Sequence, residues 1–310
     1  MAFDYPRWSK LPYTGEKNPP KNPEEPLAGS WPLIFLKRDG MGWFTDPLGN
    51  PIPRVKDPNS IDWKEQLKQV QRTLADLSPV EQLIADYWGT GHVTKQWTPI
   101  IDRLIDTYTI YRSALPPLSL ATPEAGRILA ITQGAINDAL ILCWAVKYRY
   151  DAARPNQQDH DLPTYLCTPR HPTYISAHAI VGGVVSEVLI HFFPAEKERL
   201  QELAEQCAIA RVYGGVHYPI DSSEGLRLGR AIGRMLADYF TIQTDAAGNS
   251  VDRQFTEDRN AELPPGPFPF EQAIPYPFVN FCQSAVIEES IVDRIVKFFL
   301  RIFKRRIDNP

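Results

Sequence analysis

The chain has 310 residues, of which 43% are hydrophobic and 23% are charged, and its formal net charge is −4. This balance is typical of a folded globular protein and excludes an intrinsically disordered chain. The slightly negative charge gives no reason to expect a nucleic acid as a partner.

The first 58 residues are rich in proline and hold eleven of the 29 prolines. Proline interrupts both helices and sheet ladders, so we expect an extended arm there. Its aromatic residues predict that the arm packs on a folded body, because a free tail would carry fewer of them. They include Tyr5, Trp8, Tyr13, Trp31, Phe35, Trp43 and Phe44. We divide the chain into this arm (1–60), a helical domain (61–243) and a wrapping segment with a C-terminal helix (244–310).

From residue 62 the apolar spacing becomes helical, with Trp63, Leu67, Val70 and Leu74 on one face. Ser78 and Glu81 form a capping-box pattern that opens a helix reaching about Trp88. Further helices are predicted over 94–114, 122–149, 178–193, 194–213 and 222–240. Because no alternating strand pattern accompanies them, the fold is predicted to be all-α, a helical bundle.

Three glycines, Gly225, Gly229 and Gly233, recur every four residues on the last of these helices. Such a stripe allows a neighbouring helix to approach closely, and this packing role needs no catalytic explanation.

The two longest apolar stretches, 128–146 and 179–193, do not read as membrane spans, because polar residues interrupt the first and the second is short. The N-terminus lacks a basic segment followed by an apolar run, so no signal peptide is predicted. A cytoplasmic location is therefore expected.

The polar, proline-rich residues 244–280 are expected to wrap over the bundle. Residues 288–306 predict an amphipathic, basic helix suited to a membrane surface or a partner. Docking on its own bundle or on that of a second protomer is favoured, because acidic residues dilute its charge. The four cysteines lack metal-ligand spacing and are interpreted as small buried thiols.

Chemistry-bearing residues concentrate between Trp144 and Asp221. Lys147, Arg154 and Arg211 are cations that would repel one another unless an anion such as phosphate or vanadate lay between them. Taken singly, each would more often be a solvated charge or a cation at a helix end.

Two histidines accompany these cations. His217 and Asp221 are four residues apart, so the carboxylate can fix the imidazole tautomer, although a structural histidine would look the same. Ser176 and the amide of Ala177 stand where a helix begins and could hold an anion; an ordinary helix cap is the alternative. His178 follows directly.

These blocks resemble the signature KxxxxxxRP, PSGH and SRxxxxxHxxxD of the superfamily of vanadium-dependent haloperoxidases and type 2 phosphatidate phosphatases. Lys147, Arg154 and Pro155 match the first block, Ser176 and His178 the second, and Arg211, His217 and Asp221 the third. The likeness covers about residues 80–240 and is greater to the soluble haloperoxidases.

The resemblance implies that Lys147, Arg154 and Arg211 hold the equatorial oxygens of a vanadate cofactor, with Ser176 and the Ala177 amide adding hydrogen bonds. It makes His217 the axial metal ligand, oriented by Asp221, and His178 the acid–base residue. Hydrogen peroxide, a halide and a small organic acceptor would be the partners. In a phosphatase, phosphate would occupy the same pocket, His217 would attack phosphorus and His178 would protonate the leaving oxygen.

Three positions depart from the signature. Ala177 replaces a glycine, Ala210 replaces the serine before the arginine, and Ile175 stands where many relatives have proline. A haloperoxidase-like oxidoreductase is expected, a soluble acid phosphatase or pyrophosphatase is the first alternative, and a catalytically weakened oxyanion-binding protein is the second.

Trp144 and His171 are expected to line a halide pocket. Trp144 lies one helical turn before Lys147, and His171 lies in the loop leading to Ser176. In haloperoxidases that resemble this chain, a histidine at that place accompanies bromide oxidation and a phenylalanine accompanies chloride oxidation. Bromide and iodide are thus the expected substrates. The alternative is that His171 is an exposed loop residue.

Overall fold

The computed structural model describes residues 3–109, 120–266, 270–276 and 282–287, together with 295, 296 and 299. Between residues 63 and 241 the described chain forms eight α-helices, and the all-α prediction is confirmed. They are α1 (Trp63–Ala75), α2 (Pro79–Gly89), α3 (Thr94–Thr109), α4 (Thr122–Tyr150), α5 (Pro155–Gln158), α6 (Ala177–Phe192), α7 (Lys197–Tyr213) and α8 (Pro219–Thr241). The arm also contains an antiparallel pair, β1 (Lys37–Arg38) and β2 (Phe44–Thr45), whose two-residue strands are too short to show alternation in the sequence.

Helix α6 is the centre of the bundle and packs against α8, α7 and α4. Its apolar residues cover every face because every face is buried, as at Ile180, Val184 and Val188. Helix α4 is long and apolar enough to cross a membrane by length and composition alone, but 61% of its most apolar window is buried within the protein. Its place in the bundle accounts for that composition, and the absence of a membrane span stays a prediction.

Capping residues determine where two of the helices begin. Ser78 and Glu81 form the predicted capping box of α2, with Ser78 N donating to Glu81 Oε2 at 2.8 Å. Helix α8 begins at Pro219, three residues before the predicted start, because Asp221 accepts the Tyr218 N–H at 2.9 Å. The predicted end of the 94–114 helix falls in 110–119, outside the described residues.

The arm lies along the bundle. Tyr5, Trp8, Tyr13, Trp43 and Phe44 are buried, whereas Trp31 is 47% exposed. The fully buried carboxylate of Asp138 on α4 accepts hydrogen bonds from three successive backbone N–H groups of the arm. These are Ile34 N (2.8 Å), Phe35 N (2.7 Å) and Leu36 N (2.8 Å). A buried carboxylate is thus stabilised by the chain it anchors.

The prediction of four buried thiols is wrong for two of the cysteines. Cys143 and Cys207 are free and buried, but Cys167 and Cys282 form a disulfide with a Cα–Cα distance of 5.3 Å. The chain separates this pair by 115 residues, so spacing alone could not reveal it. The expected cytoplasmic location stays a prediction. The predicted helix at 288–306 lies outside the described residues except at 295, 296 and 299.

The contact between α6 and α8 depends on glycine. A Cβ atom at Gly229 would overlap the Ile180 carbonyl oxygen, and one at Gly183 would lie 2.7 Å from Leu226 O. We expect Gly229→Ala to lower the free energy of unfolding by about 1–3 kcal/mol, because the helices must separate. The matched control is Gly126→Ala, at an exposed site on α4 where a Cβ meets nothing within 4 Å. It should raise the free energy of unfolding by up to about 1 kcal/mol in urea denaturation. Equal effects of the two changes would contradict the close-packing role.

Candidate anion-binding site

Lys147, near the C-terminal end of α4, hydrogen-bonds to the loop 159–176, which connects α5 to α6. The side chain is fully buried, and Nζ donates to the carbonyls of Pro172 (2.9 Å) and Thr173 (2.7 Å). Burial lowers the pKa of Lys147 to about 7. A nearby anion would favour the protonated ammonium.

Arg154, in the first sequence block, contacts the loop that precedes α6 and residues of the third block. It caps the N-terminus of α5, is fully buried, and donates from Nε to His171 O at 3.0 Å and from Nη1 to Val216 O at 2.6 Å. Nη1 also lies 3.3 Å from Nε2 of His217, and Nη2 lies 3.0 Å from Nδ1 of His171. Residues 63 positions apart in the chain are therefore neighbours in the bundle.

The contact with Arg154 determines the tautomer of His217. A guanidinium can only donate, so Nε2 of His217 must carry a lone pair. The proton then sits on Nδ1, which lies 3.0 Å from Asp221 Oδ2. Burial and the charges of Arg154 and Lys147 hold the pKa of His217 well below its ordinary value. The imidazole is thus neutral, with its lone pair directed toward the cations.

The Asp221 carboxylate accepts hydrogen bonds from other groups besides His217. Its Oδ2 also accepts from the Thr173 hydroxyl and from Tyr218 N (2.9 Å), while Oδ1 is buried without a partner. Burial raises the pKa of Asp221 to about 6, and these hydrogen bonds oppose the shift. Thr173 also lies 3.1 Å from His217 Nδ1. Nothing in the sequence singled out Thr173, whose loop reaches α8 only in the folded chain.

Arg211 and His178 both contact backbone carbonyls at the C-terminal end of α2. Arg211 Nη1 lies 3.4 Å from Gly89 O, and His178 Nε2 lies 3.0 Å from Trp88 O. Because a carbonyl only accepts, Nε2 of His178 carries its proton and Nδ1 is the atom free to take one. The Nε of Arg211 is buried without a hydrogen-bond partner. Burial, together with the charge of Arg154, lowers the pKa of Arg211 to about 9.

Ser176 and Ala177 begin α6. The Ser176 hydroxyl accepts the Ala179 N–H at 3.4 Å, so it is a helix cap, and its proton remains available to an acceptor. Ala177 is not among the described residues with a positive φ. Its replacement of glycine therefore leaves the backbone unstrained and retains the amide.

His171 is 6% exposed, so the interpretation of it as an exposed loop residue is wrong. Its ring lies 4.9 Å from that of Trp144, centroid to centroid. Its Nδ1 lies 3.0 Å from Arg154 Nη2 and 3.1 Å from Pro172 O, so His171 belongs to the same buried cluster as His217.

The charges of the cluster do not balance. Within the described chain, none of Lys147, Arg154 and Arg211 forms an ion pair with a carboxylate. Asp221 interacts electrostatically with Lys147 and Arg154 and already accepts hydrogen bonds from Thr173 and Tyr218. The described residues also contain no group of three or more His, Cys, Asp or Glu suited to a bare metal ion. These donors fit an oxyanion such as phosphate or vanadate, with the unpartnered Arg211 Nε as one open donor.

Comparisons with known proteins agree with this class of site. The family model described as the PAP2 superfamily matches residues 128–244, which contain every residue of the cluster. The resemblance to the phosphatase and haloperoxidase superfamily is thereby confirmed for this segment. No curated protein gives a significant sequence match.

Solved haloperoxidase structures share the fold at low identity. A bacterial vanadium-dependent iodoperoxidase is 22% identical with a TM-score of 0.51, covering 76% of this chain and 62% of that one. A bacterial vanadium-dependent chloroperoxidase in its holo form is 15% identical with a TM-score of 0.54, covering 75% and 60%. A transmembrane PAP2-type phosphatase from Bacillus subtilis is 16% identical with a TM-score of 0.43, covering 59% and 88%. The chain thus spans less than two thirds of the length of the two haloperoxidases.

Proposed function

We propose that the chain is a haloperoxidase-like oxidoreductase that uses hydrogen peroxide and halide at a histidine-bound vanadate. The observation that supports this most is the set of three buried cations that form no ion pair with a carboxylate of the described chain. Arg154 contacts His217 Nε2, and burial together with the charges of all three cations lowers the pKa of His217. The resemblance in the three sequence blocks and the haloperoxidase fold of the solved relatives add to it.

In this proposal Lys147, Arg154 and Arg211 balance the negative charge of the bound oxyanion, and Ser176 and the Ala177 amide add donors. His217 would bind vanadium through Nε2 while Asp221 holds its Nδ1 proton. When bound, vanadate supplies Lewis-acid activation of hydrogen peroxide, from which an oxygen passes to halide. His178, with Nδ1 unprotonated, would accept a proton there and could return it in a later step.

A phosphatase is the second candidate, favoured by the PAP2 family match. The same neutral Nε2 of His217 would attack phosphorus, breaking the P–O bond to the leaving alcohol. His178, after taking up a proton from solvent at Nδ1, would donate it to that oxygen, and water would then cleave the bond between phosphorus and Nε2 to release phosphate. In both candidates Lys147, Arg154 and Arg211 would bind the oxyanion.

Two parallel assays test the proposal. Vanadate-loaded protein with peroxide and bromide should brominate phenol red, and without vanadate it should not. Hydrolysis of nitrophenyl phosphate by the vanadate-free protein, without bromination by the loaded one, would favour the phosphatase. Binding of vanadate and phosphate without either activity would indicate an oxyanion-binding protein.

Halide choice gives a finer prediction. We expect bromide and iodide oxidation with little chloride oxidation, and a gain in chloride oxidation for His171→Phe. The phenylalanine would remove the imidazole that competes for the Arg154 donor at 3.0 Å. Chlorination of monochlorodimedone measures the effect, with the exposed His160→Phe as control. Robust chlorination by the unmodified protein, or no response to His171→Phe, would contradict the prediction.

A further inference from the structure

The N-terminal arm reaches the buried cluster at Glu24, whose carboxylate lies 3.8 Å from His171. The Glu24 carbonyl accepts from Trp144 Nε1 (3.2 Å) and from the Tyr148 hydroxyl (2.7 Å), both on α4. Its N–H donates to Arg170 O at 2.8 Å, in the loop that carries His171. Three hydrogen bonds to the main-chain atoms of Glu24 therefore hold it between α4 and the loop 159–176.

Close packing maintains this placement. A Cβ atom at Gly29 would lie 2.7 Å from both N and Cα of Ala145, so the arm lies directly on the α4 backbone. Only glycine permits this approach without displacement of the arm. The position of Glu24 beside His171 is thus built into the packing of the arm.

The Glu24 side chain faces the buried cluster from the solvent side. Its Oε2 lies 3.8 Å from His171 Nε2, with 44% of the Glu24 side chain exposed and 7% of that of His171. Nδ1 of His171 lies 3.0 Å from Arg154 Nη2 and 3.1 Å from Pro172 O, and Nε2 is the ring nitrogen on the side of Glu24. Burial lowers the pKa values of Lys147 and Arg154, and the charge of Glu24 partly opposes both shifts. The carboxylate therefore lies beside the buried cluster and interacts electrostatically with its cations.

We propose that Glu24 is a selectivity residue of the site, whose carboxylate beside His171 lowers the affinity of the buried cations for multiply charged anions. The buried cations of the cluster attract anions. A fixed negative charge beside them opposes an anion in proportion to that anion's charge, while neutral hydrogen peroxide is unaffected. Glu24 lies outside the matched segment 128–244, and this role rests on the proposed oxyanion site.

The test uses the full-length protein and two matched variants. Glu24→Gln removes the charge and keeps the shape, and Glu25→Gln makes the same change one residue away on the exposed arm. Calorimetric titration with orthovanadate and with inorganic phosphate at low ionic strength should show about three- to tenfold tighter binding for Glu24→Gln. Glu25→Gln should bind as the unmodified protein does. The difference should largely vanish in about 1 M salt, where the screening length is about 3 Å.

The outcomes separate this inference from the proposed function. If the unmodified protein binds neither anion, the proposed site fails and this inference fails with it. If it binds them and the two glutamine variants are alike, the selectivity role alone is overturned. A salt-independent change would indicate a structural effect of Glu24 and would also overturn it. Gly29→Ala, which displaces the arm from α4, should tighten binding in the Glu24 protein and leave Glu24→Gln unchanged.

Discussion

Replacing His217 with alanine is expected to reduce bromination and nitrophenyl phosphate hydrolysis by at least about a hundredfold. The reason is that its Nε2 lone pair would bind vanadium in one proposed reaction and attack phosphorus in the other. Changes at outer-shell partners such as Asp221 typically cost about 10- to 100-fold, and loss of the imidazole itself should cost more. Initial rates at saturating vanadate measure the first activity, and rates without vanadate measure the second.

His160→Ala is the matched control, because it removes an exposed imidazole far from the cluster in sequence. It should keep the activity of the unmodified protein. Circular dichroism should show that both variants retain their helices. A folded His217→Ala protein with more than about a tenth of the original rate would exclude His217 from the chemistry.

Arg211→Ala is expected to weaken vanadate and phosphate binding by roughly 10- to 150-fold. A charge-assisted hydrogen bond in a desolvated pocket contributes about 1.5–3 kcal/mol, and the buried Nε of Arg211 has no protein partner to lose. The anion-free fold should therefore suffer less than the complex. Calorimetry gives the affinity, and the increase in melting temperature on adding vanadate reports the same loss independently.

Two variants make this result interpretable. Arg149→Ala removes an exposed arginine two residues beyond Lys147 and should leave the affinity unchanged. Arg211→Lys keeps a charge but loses the fork of donors, so its affinity should fall between those of the other two. Unchanged anion affinity in a folded Arg211→Ala protein would show that this cation serves the structure alone.

Much of the fold followed from patterns along the chain. Helical spacing and capping residues predicted the helices because these signals act within a few residues. The glycines of α8 indicated a close helix contact, which Gly229 makes with Ile180 of α6. The predicted start of α8 was wrong because the N-cap is Tyr218, whose N–H is accepted by Asp221, a residue already assigned to the site.

The candidate site was predicted as a set of residue types, since Lys147, Arg154, Arg211, His217 and Asp221 match the signature by spacing. The sequence could not show which atoms meet. The Thr173 hydroxyl on Asp221, the α2 carbonyls beside Arg211 and His178, and the lone pair on His217 Nε2 all depend on contacts between distant segments.

Two further features exist only in the tertiary structure. The disulfide joins Cys167 and Cys282 across 115 residues, and Glu24 reaches the site from an arm more than a hundred residues before its partners on α4. Local propensity and periodicity encode helices because neighbouring residues share one backbone geometry. Contacts between remote segments depend instead on how those helices pack. The sequence therefore determined the helices and the types of residue at the site. The packing decided which of their groups meet there.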